Sequence, residues 1–95
     1  MTHLQRKIQI RNRRGLHARA SAKFVNLVTE IGDGVSVAVE KDGNRVTGQS
    51  IMGLMMLGAA MGDCVIVHVE GEDEGAANDA LNQLCSLIKA RFGEE

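Results

Sequence analysis

Val35-Ser36-Val37-Ala38-Val39-Glu40-Lys41-Asp42-Gly43-Asn44-Arg45-Val46-Thr47 reads as two strands joined by a tight turn. Val35, Val37 and Val39 alternate with Ser36, Ala38 and Glu40, the period-two pattern of a half-buried strand. Asp42-Gly43 is a strong hairpin signal, because both residue types tolerate the positive φ of a two-residue turn, and Arg45-Val46-Thr47 supplies the returning strand. Strands joined this way are antiparallel, which sets the class of sheet.

Outward from the hairpin, Leu4, Ile8 and Ile10 share one face of an extended stretch whose other face carries Gln5, Lys7 and Gln9, which predicts a strand over 4–10. Asn12 to Gly15 breaks that pattern. From His17 onward Ala18, Ala22, Val25 and Val28 recur near helical spacing, so a helix is expected to run to Gly32. Beyond the hairpin, Ser50 is placed to cap a short helix, Ile51 to Leu57, that stops at Gly58. Residues 64–70 set Val65, Val67 and Val69 against Cys64, Ile66 and His68, a fourth strand. A last helix is predicted from Asp73 to Phe92, with Ala77, Leu81, Leu84 and Ile88 on its apolar stripe. Asp73 and Glu74 fall in its first turn and Lys89 and Arg91 in its last, as the helix dipole prefers. The order β-α-β-β-α-β-α is that of an α+β fold in which one layer of helices covers one face of an antiparallel sheet.

The chain of 95 residues suits one domain spanning 1–95, without a linker. Hydrophobic residues make up 44%, yet Phe24 and Phe92 are the only aromatics, so the core is built from Val, Ile, Leu, Met and Ala. Cys64 and Cys85 have no metal-ligand spacing, and buried thiols are expected, not a disulfide or a metal site. The start Met1-Thr2-His3-Leu4-Gln5-Arg6 has no signal-like apolar run, and no stretch approaches the ~18 apolar residues of a membrane span. A soluble, cytoplasmic protein without membrane insertion is the expectation. Net charge is −1 but unevenly spread: seven of eleven basic residues precede position 24, and all twelve acidic residues lie at position 30 or later. The N-terminal third suits an anion or an acidic partner.

That third also holds the candidate chemistry. His17 sits where loop becomes helix, just after Gly15. The first N–H groups of a helix lack intrahelical partners and lie at its positive end, so a phosphate held there meets fixed donors. Imidazole has a ring nitrogen free to act as nucleophile near neutral pH, and Arg19 offers a bidentate fork to phosphate oxygens. By position alone a helix-end histidine with satisfied nitrogens fits equally well. The arginines likewise fit a solvated face or a nucleic-acid patch, although so few aromatics argue against stacking single-stranded bases. His68 reads as structural or exposed, His3 has no evident partner, and the dipole accounts for Glu72-Asp73-Glu74. No Walker-type glycine loop is present, and neither cofactor nor metal is expected.

The run Asn12-x-x-Gly15-Leu16-His17-Ala18-Arg19-x-x-Ala22-x-Phe24-Val25, followed by Ser50-Ile51-Met52-Gly53-Leu54, resembles the HPr family, the histidine phosphocarriers of the bacterial phosphoenolpyruvate phosphotransferase system. The resemblance covers nearly the whole chain and implies an open-faced sandwich, a four-stranded antiparallel sheet covered on one face by three helices. It implies that enzyme I donates a phosphoryl group to Nδ1 of His17, which passes it to an A-type acceptor component. Arg19 matches the family's active-site arginine, and the amides of Ala18 and Arg19 would face the phosphate. A serine at the place of Ser50 is phosphorylated in some members by an HPr kinase/phosphorylase, which slows transfer at the histidine.

The short helix and the histidine helix together form the family's docking surface. Here Leu54 and Leu57 match the buried side, leaving Ile51, Met52 and Met55 as an exposed patch, though their spacing also permits an ordinary core. The chain departs from the family at Ala20, where most members have proline, and alanine there gives up some preorganisation. Ala20-Ser21 in place of Pro-Ala resembles the alpha-proteobacterial form, where the relay is often regulatory and not devoted to sugar uptake. A carrier of this kind is a covalent intermediate, not an enzyme in its own right, and is expected to act as a monomer. Two other classes compete with it: a regulatory binding module that uses the Ser50 face, with His17 inert, and a small RNA-binding domain that uses Arg6 to Lys23.

Overall fold

Asp42 and Gly43 both adopt left-handed backbone, with φ of 53° and 86°, the geometry whose twist matches the flanking strands. In the computed structural model, which describes residues 1–94, they join β2 (Val35–Lys41) to β3 (Asn44–Thr47), with Lys41 opposite Asn44 and Ala38 opposite Thr47. Two further strands, β1 (Thr2–Gln9) and β4 (Cys64–Gly71), complete a sheet ordered β1-β4-β2-β3. Every neighbouring pair is antiparallel. The helices are α1 (Ala18–Ile31), α2 (Ile51–Met56) and α3 (Glu74–Lys89).

Register decides which side chains share a face. Ile8 lies opposite Val65, Leu4 opposite Val69, and Val69 in turn opposite Val37, so Leu4 and Ile8 of β1 and the alternate valines of β4 and β2 form one apolar surface. Ile8 and these valines join Ala20, Phe24 and Val28 of α1 and Ala77, Leu81, Leu84 and Ile88 of α3 in one buried core, with Leu4 packed against it. Arg6 is on this inward side too and bonds Asn82 of α3 at 3.0 Å. The helices therefore cover one face, and the other carries Gln5, Lys7, Ala38 and Ile66. Asp73 caps α3, its carboxylate accepting from the N–H groups of Gly75 and Ala76.

Four details correct the sequence reading. The last helix ends at Lys89, not Phe92, because Arg91 and Phe92 turn left-handed with φ of 58° and 55°. Phe92 lies four residues after Ile88 and so imitates helical spacing, yet it enters the core from a 3-10 turn over Arg91–Gly93. Arg91 is consequently outside the helix it was expected to end. The first strand runs Thr2–Gln9 instead of 4–10, and Ile10 instead exchanges hydrogen bonds with Gly62 and Asp63.

Cys64 is exposed, not buried, because it opens β4 opposite Gln9 on the outward face. Cys85 is buried, as expected, and burial pushes its thiol up despite nearby Arg6. A thiol-reactive dye should therefore label one cysteine rapidly in the native protein and the second only on unfolding. Rapid labelling of both would contradict the packing of α3.

His68 is buried on the outward face, where its Nε2 lies 2.8 Å from Glu40 and its Nδ1 3.1 Å from Nε2 of His3. Gln5 pairs directly with His68, which makes His3 its diagonal neighbour. His3 thus has a partner 65 residues away that no local pattern could reveal.

Candidate functional site

The loop from Asn12 to Leu16 is built to hold His17 in place. Gly15 has φ of 65° and packs so closely that a Cβ there would lie 2.2 Å from the carbonyl oxygen of Ala59. The adjacent Leu16 N–H donates to that same oxygen at 3.0 Å. Asn12 is fully buried and donates from Nδ2 to the Gly15 carbonyl at 2.7 Å. Ser21, also buried, donates its hydroxyl to the Leu16 carbonyl at 3.2 Å. The loop is thereby tied to α1 on one side and to the segment after α2 on the other.

His17 is the N-cap of α1, in extended conformation with φ −76° and ψ 179°, and its side chain makes no capping bond. The first helical hydrogen bond is Ser21 N–H to the His17 carbonyl at 2.9 Å. The N–H groups of Ala18, Arg19 and Ala20 precede it and have no partner among the described residues. Ala20 is buried within the helix, so the alanine that stands in the family's proline position keeps helical backbone and retains an N–H that proline would lack.

Around His17, Arg13, Arg14, Arg19 and Arg91 line a shallow cleft together with Glu94. His17 is half-buried, and its Nε2 lies 2.5 Å from a carboxylate oxygen of Glu94, whose other oxygen accepts from Asn12 Nδ2 at 3.1 Å. Nδ1 has no partner among the described residues. Desolvation opposes ionisation of Glu94, but hydrogen bonds from His17 and Asn12 and the charges of His17 and Lys23 outweigh it and hold its carboxyl below the usual range. With the native pKa below the unfolded one, the contact contributes fully above the ordinary carboxylate pKa. It is lost only as pH falls through the lowered value.

The structure brings His17, the Ala18 amide and Arg19 together at one helix start. Ser50 belongs to a separate feature, where its hydroxyl accepts from Gly53 N–H at 2.9 Å and caps α2. Ile51, Met52 and Met55 are exposed while Leu54 and Leu57 are buried, so the ordinary-core alternative is excluded for the first three. Met56 of α2 and Met61 of the segment after it, 79% and 59% exposed, are further exposed apolar side chains that the sequence reading did not single out. Arg13, Arg14, Arg91 and Glu94 were also absent from the expected site. Arg13 and Arg14 had a signal in the basic cluster and Asn12 in its motif, whereas Arg91 and Glu94 had none, since both reach the site from the far end of the sequence, Glu94 from 77 residues away.

A model of the PTS HPr component phosphorylation site matches residues 4–87. This chain belongs to the HPr family. The phosphocarrier protein HPr of Cupriavidus necator is 48% identical over 92 residues, covering 96% of this chain and 97% of that protein. Its counterpart in Neisseria meningitidis is 44% identical over 91 residues, with 96% and 97% covered. The phosphocarrier protein NPr of Shewanella violacea is 35% identical over 94 residues, with 99% and 98% covered. A crystal structure of HPr from Bacillus anthracis superposes with a TM-score of 0.81 at 32% identity, spanning 93% of this chain and 99% of that one. The antiparallel four-stranded open sheet with three helices is the fold of these HPr structures. No helix among the described residues is long and apolar enough to cross a membrane.

Proposed function

We propose that this HPr-family chain is a phosphocarrier of the phosphotransferase system, accepting a phosphoryl group from phospho-enzyme I on Nδ1 of His17 and passing it to an A-type component. The observation that carries this reading is the coincidence, at one point, of an imidazole Nδ1 and three amides that have no partner among the described residues and a cleft lined by four arginines. In the step, the Nδ1 lone pair forms a P–N bond while the donor–phosphorus bond breaks and its electron pair leaves with the donor atom. The Ala18 and Arg19 amides and the Arg19 guanidinium hold the phosphoryl oxygens. Their role is electrostatic, and His17 is the nucleophile.

Incubation with phosphoenolpyruvate and enzyme I should place an acid-labile, base-stable phosphate on His17. Finding none would favour a binding module in which His17 is inert. The NPr relative keeps both sugar-related and nitrogen-related A components in play, and transfer assays against each would rank them. An RNA-binding role would instead show affinity that falls steeply with salt.

Ser50 is the proposed regulatory site, phosphorylated by an HPr kinase/phosphorylase, and the exposed Ile51, Met52 and Met55 form the docking face for enzyme I and acceptor proteins. A phosphate on the capping hydroxyl would set a doubly negative charge beside that apolar patch. Ser50→Asp should leave the fold intact, because aspartate is as good an N-cap as serine. It should weaken enzyme I docking several-fold at low salt, read by titration calorimetry. Unchanged docking would remove this face from the interface.

A further inference from the structure

The chain after α3 takes an unusual course. Arg91, Phe92 and Gly93 have successive φ values of 58°, 55° and 77°. Left-handed backbone at two consecutive non-glycine residues is strained and persists only where the surroundings enforce it. Here Phe92 is fully buried, and the burial of its ring offsets that strain. Lys23 Nζ donates to its carbonyl at 2.6 Å. This anchored turn brings Glu94 to His17 and Asn12, 2.5 Å and 3.1 Å from its two carboxylate oxygens.

We propose that Glu94 is a positioning residue for phosphoryl transfer, taking the Nε2–H of His17 so that Nδ1 carries the free lone pair. The inference rests on the reading of His17 as phosphoryl acceptor. A neutral imidazole has one N–H and one lone pair, and the hydrogen bond made by one nitrogen determines the state of the other. A carboxylate only accepts, so the proton belongs on Nε2 and the nucleophilic pair on Nδ1. Asn12 fixes the second carboxylate oxygen, which keeps Glu94 from rotating away.

The same contact serves the second half of the reaction. When Nδ1 bonds phosphorus and the donor atom departs with its electron pair, the ring retains Nε2–H and gains one positive charge. Glu94 neutralises that charge. On onward transfer the P–N bond breaks, its pair returns to Nδ1, and the ring departs as neutral imidazole with its Nε2 proton still in place. No outside acid or base enters the balance.

The test uses the full chain with 15N-labelled histidine, compared as wild type, Glu94→Gln and Glu94→Ala. In the unphosphorylated wild type at a pH where the ring is neutral, long-range 1H–15N spectra should show His17 as a single Nε2–H tautomer. Glu94→Gln, whose amide oxygen still accepts, should largely preserve it, whereas Glu94→Ala should give a mixture of tautomers. The rate of phosphoryl acceptance from phospho-enzyme I should fall roughly tenfold in Glu94→Ala. A wild-type ring with its proton on Nδ1, or an Ala variant unchanged in both tautomer and rate, overturns the proposal. An Ala variant that transfers faster would mark Glu94 as an obstruction and overturn it as well. The tautomer is read without enzyme I, so failure of His17 to accept phosphate would count against the carrier reading and not be confused with failure of this one.

Discussion

His17→Ala is expected to abolish phosphoryl acceptance while changing the free energy of unfolding by less than about 1 kcal/mol. The two halves of this result have separate causes. Stability is largely spared because His17 sits at the N-cap with no side-chain capping bond and outside the apolar core, and the one contact it loses, to Glu94, leaves a partly exposed carboxylate that Asn12 still holds. Activity is lost because no other described residue lining the cleft can form a base-stable phosphate: a carboxylate such as Glu94 would give only a base-labile acyl phosphate. Its other members are four arginines and Glu94, and guanidinium groups stay protonated and cannot attack phosphorus. His68 offers no substitute, since both of its nitrogens are already engaged by Glu40 and His3. The measurement is base-stable phosphate after incubation with phosphoenolpyruvate and enzyme I, alongside urea unfolding of the same sample. Base-stable phosphate on the alanine variant would mean that the acceptor is elsewhere.

What was legible in the sequence was whatever local spacing encodes. Alternating apolar residues, Leu4 and Ile8 in the first strand and valines in two others, gave the three-strand apolar face, Asp42-Gly43 the hairpin, and Ala77 to Ile88 the stripe of the last helix, because strand and helix periods are properties of neighbouring residues. His17 and Arg19 stood out for the same reason, two residues apart at one helix start. Most of the failures involve distance or a break in period. Phe92 kept helical spacing while the backbone beneath it had already turned left-handed, and a one-dimensional stripe cannot register that change. The Glu94 contact depends on that turn and was invisible with it. His3 found His68 only through the register of β1 on β4. Cys64 was misread because thiols are usually buried, whereas its position at the start of an outward-facing row decides otherwise.

Gly15→Ala should be the most damaging substitution outside the histidine itself. Two costs combine. An L-residue at φ of 65° is strained by about 1–2 kcal/mol, and the new Cβ would meet the Ala59 carbonyl at 2.2 Å and the Ala60 Cα at 2.9 Å. Both obstacles are backbone, so relief requires moving the segment after α2, an overpacking cost of roughly 1–3 kcal/mol. The expected destabilisation is about 2–5 kcal/mol, measured by urea unfolding. Gly43→Ala is the matched control: φ is 86° there, but a Cβ would meet nothing within 4 Å, so only the conformational part, about 1–2 kcal/mol, should appear. The difference between the two variants isolates the contact with Ala59. That contact also supplies the acceptor for Leu16 N–H, so displacing it shifts His17 relative to α2 and the exposed methionines around it. Phosphoryl acceptance should then fall by more than the unfolded fraction explains, under conditions where most of the variant remains folded. Equal destabilisation of the two glycine variants, with transfer unimpaired in both, would mean that the join between the histidine loop and α2 is loose and that the two proposed surfaces are positioned independently.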